Sequence, residues 1–151
     1  MTTGGPATRP GESRHRGVLI IWGAQVMALV MFFALTQIIG REFDADTDDR
    51  VLLLVLAVAS LLAFALSFVL KAKLISQSSA QRRPDLATTA YIIAFALCES
   101  AAIFGLIVHF VTGVRESLYF FAPAALGLAL HFPRRMHFEE PTRGTTFGEG
   151  A

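Results

Sequence analysis

The sequence is poor in charge, in cysteine and in asparagine, and each shortage excludes a class of protein. Asp, Glu, Lys and Arg make up only 17% of the 151 residues, whereas soluble domains are about a quarter charged because water must wet their surfaces. The net charge of +1 offers no basic surface for nucleic acid. A single cysteine forms no disulfide framework, and without Asn there is no N-glycosylation acceptor. These shortages exclude a soluble domain, a nucleic-acid-binding protein and a disulfide-stabilised secreted module.

The hydrophobic residues, 54% of the chain, are concentrated in four apolar stretches: residues 18–40, 51–70, 87–111 and 117–132. A helix needs about 20 apolar residues to span the hydrocarbon core of a bilayer. The first three stretches meet this length, whereas the fourth is shorter and contains Pro123. The pattern predicts an all-α fold, a polytopic membrane protein with an antiparallel bundle of four transmembrane helices over residues 17–138. The polar tails, 1–16 and 139–151, are predicted to be disordered.

The distribution of Lys and Arg predicts the orientation of the bundle. Ten of these 13 residues lie in the two tails and in the connection between the second and third stretches, and only Arg41, Arg50 and Arg115 lie on the other side. The positive-inside rule therefore places both termini in the cytoplasm. Eleven Arg against two Lys is typical of a GC-rich bacterial genome, so we expect a bacterial plasma (inner) membrane.

Two charged loops have simple interpretations. In the middle connection, Lys71, Lys73, Arg82 and Arg83 either anchor at anionic lipid headgroups or dock a partner, and the sequence leaves both open. The outer loop Asp44–Asp49 begins like a calcium loop, but Asp49 occupies the position of the turn glycine. A solvated acidic loop is the favoured interpretation there.

Glu99 is the only Asp, Glu, Lys or Arg inside the four stretches, and it lies near the middle of the third. An ionised carboxylate at the centre of a bilayer costs about 2.5–3.5 kcal/mol on insertion scales, so we expect Glu99 to be protonated or to face a polar cavity. It is a candidate ion- or proton-binding residue, or a neutral donor of an interhelical hydrogen bond. Candidate partners at a suitable depth are Ser60 and Ser67 in the second stretch and Gln25 in the first.

Small residues repeat along several of the stretches and predict close helix packing. The third stretch carries such a stripe at Ala94, Cys98, Ala101 and Gly105. The fourth carries Ala125 and Ala129, which predict the packed side of that helix.

No catalytic pattern is present in the sequence, so we expect no enzyme, no catalytic residue, no metal site and no cofactor. His109 and His131 are predicted at opposite membrane surfaces, too far apart to bind one haem. His131, His137, Glu139 and Glu140 match no familiar metal-ligand spacing. Residues 132–138 instead suggest an anchor at the membrane interface.

The segment Ala96–Val108, with the sequence ALCESAAIFGLIV, resembles the carboxylate helix of the ATP synthase rotor-ring proteolipids, the subunit c family. In that helix a Glu is followed by small residues and then by an Ile-aromatic-Gly-Leu run. The resemblance covers about 13 of the 151 residues. It implies that Glu99 corresponds to the ion-binding carboxylate, which is protonated and released in turn.

Two functions remain open at the level of the sequence. The first is an accessory or structural subunit, or a small membrane protein of another kind, in which Glu99 locks helices together. The second is a proton- or cation-translocating, proteolipid-like component that uses Glu99 as its membrane-embedded carboxylate. The expected partners are the lipid bilayer and either a homo-oligomer or a larger membrane complex, because a single acid in a thin bundle is better shielded in an assembly.

Overall fold

A computed structural model of the chain describes residues 10–39, 50–113 and 115–138. Within these ranges the fold is all-helical, without strands, which confirms the all-α part of the predicted fold class. The elements are α1 (Pro10–Ile38), α2 (Arg50–Gln81), α3 (Pro84–Thr112) and α4 (Phe121–Leu130), with 3-10 helices at Arg115–Phe120 and Arg135–His137. Helices α1, α2 and α3 are long and apolar enough to cross a bilayer, whereas the apolar helical segment Glu116–Leu130 is shorter.

Helix α3 is the central element of the fold. In its most apolar stretch 44% of the residues are buried, against 6% in α1 and 11% in α2. Helix α2 packs mainly against α3, and α1 packs on α3 and α4. Because α1 and α2 bury so little, they carry most of the large apolar side chains that are exposed, as expected for helices that face lipid.

Contacts along α4 show that it runs antiparallel to α1. The rings of Phe33 and Phe121 meet near one end, with centroids 5.6 Å apart. Near the other end, the Trp22 indole N–H donates to the carbonyl oxygen of Leu128 at 2.8 Å. Residue numbers therefore increase in opposite directions along α1 and α4.

The middle connection is much shorter than the sequence predicted. Helix α2 continues to Gln81, past the predicted end at Leu70, and only Arg82 and Arg83 separate it from Pro84 at the start of α3. Nothing between Lys71 and Gln81 breaks a helix, whereas Pro84 prevents the residue before it from being helical. Arg83 N–H donates to the Ser78 carbonyl at 3.0 Å, and the Ser78 hydroxyl donates to the Arg83 carbonyl at 2.8 Å. The predicted long basic loop is thus mostly helix.

The fourth stretch folds in two parts. A 3-10 helix, Arg115–Phe120, leads into α4, where Pro123 lies in the first turn, a position at which proline is tolerated. The prediction that Ala125 and Ala129 form the packed side of this helix is wrong, because both are exposed. The buried side carries Ala124 and Gly127 instead, whereas all four members of the predicted stripe on α3 are buried, as expected.

Residues 133–138, which we call the cap segment, close one end of the bundle. Pro133 and Phe138 are buried, so this segment is more than the predicted interfacial anchor. The His15 ring lies 3.3 Å from the Pro133 carbonyl oxygen and 5.7 Å from the Phe138 ring. Helix α1 begins at Pro10, inside the predicted N-terminal tail, because His15 and Val18 have this segment and α3 to pack against. Residues 1–9 and 139–151 lie outside the described residues.

Candidate functional site

A chain of hydrogen bonds joins α2 to the residue that follows α4. The His131 ring is buried, with Nε2 2.9 Å from the Ser67 hydroxyl and Nδ1 3.3 Å from Nζ of Lys71. Ser67 and Lys71 are one helical turn apart on α2, so both can reach the same imidazole. The Phe68 ring packs against His131 at a centroid distance of 4.4 Å.

The direction of these bonds follows from what each group can donate. An ammonium group only donates, so Nδ1 of His131 accepts from Lys71 and the ring proton resides on Nε2. Nε2–H then donates to the Ser67 oxygen, and the Ser67 hydroxyl donates to the Phe64 carbonyl at 2.6 Å. In this arrangement His131 is not a base that accepts the serine proton. Ser67 therefore acts as an acceptor that orients the ring, rather than as an activated nucleophile.

Cys98 brings α3 into the same cluster. Its thiol is buried and lies 3.9 Å from the Ser67 oxygen, within reach of a weak S–H donor. On its other side it faces Gly127 of α4, where a side-chain carbon would overlap its Sγ atom. Glycine at position 127 is thus what allows α4 to approach α3 closely.

Tyr91 holds the cap segment beside this cluster. Its buried hydroxyl accepts from the Arg134 backbone N–H at 3.2 Å and lies 2.7 Å from Nδ1 of His137, to which it can donate its proton. The Lys71 ammonium sits 4.2 Å from the centroid of the Tyr91 ring, a cation–π contact. Burial lowers the pKa of His137, and the positive charges of Lys71 and Arg134 lower it further. A neutral His137 has an unprotonated ring nitrogen, so its Nδ1 can accept the hydrogen bond that the Tyr91 hydroxyl donates.

Glu99 lies apart from this cluster. Its side chain is half-buried on the flank of α3 and makes no hydrogen bond or ion pair with any described residue. Positions 92, 99, 103 and 110 follow one face of the helix, and Ile92, Ile103 and Phe110 are all exposed. The carboxylate therefore belongs to an otherwise apolar outer stripe of the central helix.

The three candidate partners of Glu99 occupy other environments. Ser67 bonds to His131, as described above. The Ser60 hydroxyl is buried on α2 without a hydrogen-bond partner among the described residues, and Gln25 is half-buried and makes no hydrogen bond there. The structure thus does not join any of them to Glu99.

The remaining histidine, His109, lies at the other end of the bundle. Its Nδ1 is 3.3 Å from the Ser117 hydroxyl, at the start of the segment that leads into α4, whereas His131 follows the end of α4. Among the described residues no group of three or more His, Cys, Asp and Glu is placed to hold a metal ion. Glu139 and Glu140 lie outside those residues.

The hydrogen-bonded cluster was not predicted as a unit, although one signal for it exists in the sequence. The sequence predicts that Lys71 either anchors at lipid headgroups or docks a partner, and that His131 lies at the interface. The pair Ser67 and Lys71, four residues apart at the end of an apolar stretch, marks a polar line on one face of α2. What this line would contact depends on the position of α4, which the pattern does not define.

Comparison of the chain with known protein families, with curated proteins and with solved structures finds no match in any of the three.

Proposed function

We propose that the chain is a structural, accessory subunit of a membrane assembly, with Glu99 as the hydrogen-bonding lock between its α3 and a neighbouring transmembrane helix. The topology proposed with it is four spans, with both termini on the cytoplasmic side of a bacterial inner membrane. Two features support this topology: the excess of Lys and Arg at that side, and the contact of His15 with the cap segment, which brings the two ends of the bundle sequence together.

The observation that carries the proposal is the unpaired carboxylate of Glu99 on an exposed apolar stripe. A carboxyl group at mid-membrane depth is costly unless it is hydrogen-bonded. Within one copy no described residue bonds to it. A helix of a second copy or of another subunit, packed along Ile92, Ile103 and Phe110, would supply the missing bond, which is worth about 0.6–2 kcal/mol in a membrane.

The test compares particle size in native membranes solubilised in a mild detergent. Glu99→Gln keeps a hydrogen-bonding side chain and should retain the assembly, whereas Glu99→Leu should shift the protein to a smaller particle. Ile103→Trp should do the same by steric clash. The matched control is Leu61→Trp, because Leu61 is 62% exposed on α2, away from the stripe. If Glu99→Leu and Ile103→Trp leave the particle unchanged, the lock does not exist.

The same unpaired, half-exposed carboxylate also favours a second candidate, a proton- or cation-translocating component. A carrier must lose and regain its proton or ion, which a carboxylate without a fixed partner can do. Flux through proteoliposomes distinguishes the candidates, because Glu99→Gln should abolish transport by a carrier while preserving the assembly. Flux that is equal in the wild type and in Glu99→Gln would eliminate the carrier.

A further inference from the structure

Positive charge accumulates at the cap end of the bundle without a matching negative group among residues 10–39, 50–113 and 115–138. Lys71 is half-buried over the Tyr91 ring, and the backbone N–H of Arg134 bonds to the hydroxyl of the same tyrosine. Neither side chain forms an ion pair with a carboxylate of the described residues. Two carboxylates form ion pairs near this end of the bundle, but with other residues: Glu12 pairs with Arg16, and Asp85 pairs with Arg83.

The contacts of Lys71 leave part of its ammonium group available. One N–H points to Nδ1 of His131 at 3.3 Å, and the Tyr91 ring lies 4.2 Å away, whereas an ammonium carries three donors. The neighbours of Lys71 are thus neutral acceptors that hold it in place without cancelling its charge.

Arg134 is fixed beside the same tyrosine by its backbone. Its N–H donates to the Tyr91 hydroxyl at 3.2 Å, and its guanidinium group is exposed. The positive charges of Arg134 and Lys71 repel each other. An anion between them would remove that repulsion, and a guanidinium group matches the geometry of phosphate oxygens.

We propose that Lys71 and Arg134, placed around Tyr91, form a binding site for a phosphate group, carried either by a lipid headgroup or by a free phosphate. Their position fits both sources. Lys71 directly follows the apolar stretch of α2, at the depth where lipid phosphates are found, and Arg134 is exposed to solvent.

The experiment titrates the full chain in zwitterionic detergent with phosphatidic acid and, separately, with inorganic phosphate. Binding is followed by the imidazole proton resonances of His131 and His137, which contact Lys71 and Tyr91. Lys71→Gln and Arg134→Gln should each weaken binding about tenfold, which is the loss expected for one charge-assisted hydrogen bond.

The chain contains matched controls for both variants. Lys73 and Arg135 are exposed and carry the same charge at nearly the same depth, so Lys73→Gln and Arg135→Gln should change affinity less than about twofold if they only attract anions at long range. If the two controls lose as much affinity as the variants at Lys71 and Arg134, the anion is attracted by the general positive charge of this end, and the proposed site is refuted. The absence of any resonance shift with either probe in the wild type would also refute it.

Two further outcomes complete the test. Shifts with both probes assign the site to phosphate anions in general, and shifts with phosphatidic acid alone assign it to a lipid headgroup. If Lys71→Gln loses its fold, as judged by Trp22 fluorescence, the exposed Arg134→Gln variant decides: unchanged affinity there overturns the proposal. Lys71→Arg keeps the charge and should bind within about threefold of the wild type.

Discussion

The contact between Gly127 and Cys98 determines how closely α4 lies to α3, and it is open to a direct test. A carbon added at position 127 would overlap Sγ of Cys98 and lie 3.4 Å from a ring carbon of Phe64. Overpacking of a filled interface costs about 1–3 kcal/mol, and replacing a helical Gly by Ala gains about 0.5–1 kcal/mol. The difference between the two effects is about 0–2.5 kcal/mol, and we expect Gly127→Ala to lower the free energy of unfolding by an amount within this range.

A double-mutant cycle with Cys98→Ala separates these two contributions. The gain in helix propensity occurs in both backgrounds and cancels, so the coupling energy reports the steric overlap alone. Without the sulfur atom, Gly127→Ala should be neutral or stabilising, which gives a coupling of about 1–3 kcal/mol. Gly23→Ala measures the propensity gain by itself, because no atom lies within 4 Å of a carbon added there.

Unfolding is measured in mixed micelles of a mild detergent with increasing dodecyl sulfate. The signal is the fluorescence of Trp22, the single tryptophan, whose indole N–H bonds to the Leu128 carbonyl on α4. A coupling energy below about 0.5 kcal/mol, the usual limit of additivity, would refute the close approach of α4 to α3 at Gly127.

Two further predictions concern the polar cluster, and the same unfolding measurement checks both. Ser67→Ala leaves the buried Nε2–H of His131 without an acceptor and should cost about 1–3 kcal/mol, whereas Ser60→Ala removes a buried hydroxyl that has no partner among the described residues and should not destabilise the protein. Equal losses in the two alanine variants would show that the bond to His131 contributes nothing. Burial lowers the pKa of His137 in the folded protein, so below the ordinary value of about 6.5 the unfolded chain binds more protons. Stability should therefore be greatest above that pH and fall as the pH decreases through it, and His137→Gln should flatten the decrease; an unchanged slope would contradict the assignment.

The helices themselves were predictable because length and apolar content determine them. Three stretches of about 20 apolar residues gave α1, α2 and α3. The ends of the helices were not predictable in the same way. The apolar stretch of α2 ends before Lys71, whereas its backbone remains helical to Gln81, shortly before Pro84.

The candidate site was only partly predictable. Depth along a helix indicated that Ser67 and Glu99 lie at membrane level, but depth alone does not define the direction in which a side chain projects. Ser67 projects towards Cys98 and His131, and this depends on the close approach at Gly127. That approach is a tertiary contact between residues far apart in the chain, and no local pattern around Gly127 distinguishes it from the exposed positions Ala125 and Ala129.

The arrangement of α1 has a consequence for the order in which the bundle assembles. Helix α1 packs on α3 and α4, and α2 packs mainly on α3. During synthesis α1 is made first, yet its main packing surface does not exist until α3 and then α4 have followed. The pair α2 and α3 is joined by a short turn and can associate as soon as both are made. The contact of His15 with the cap segment can therefore form only after α2, α3 and α4 have all been made, because residues 133–138 follow them in the chain.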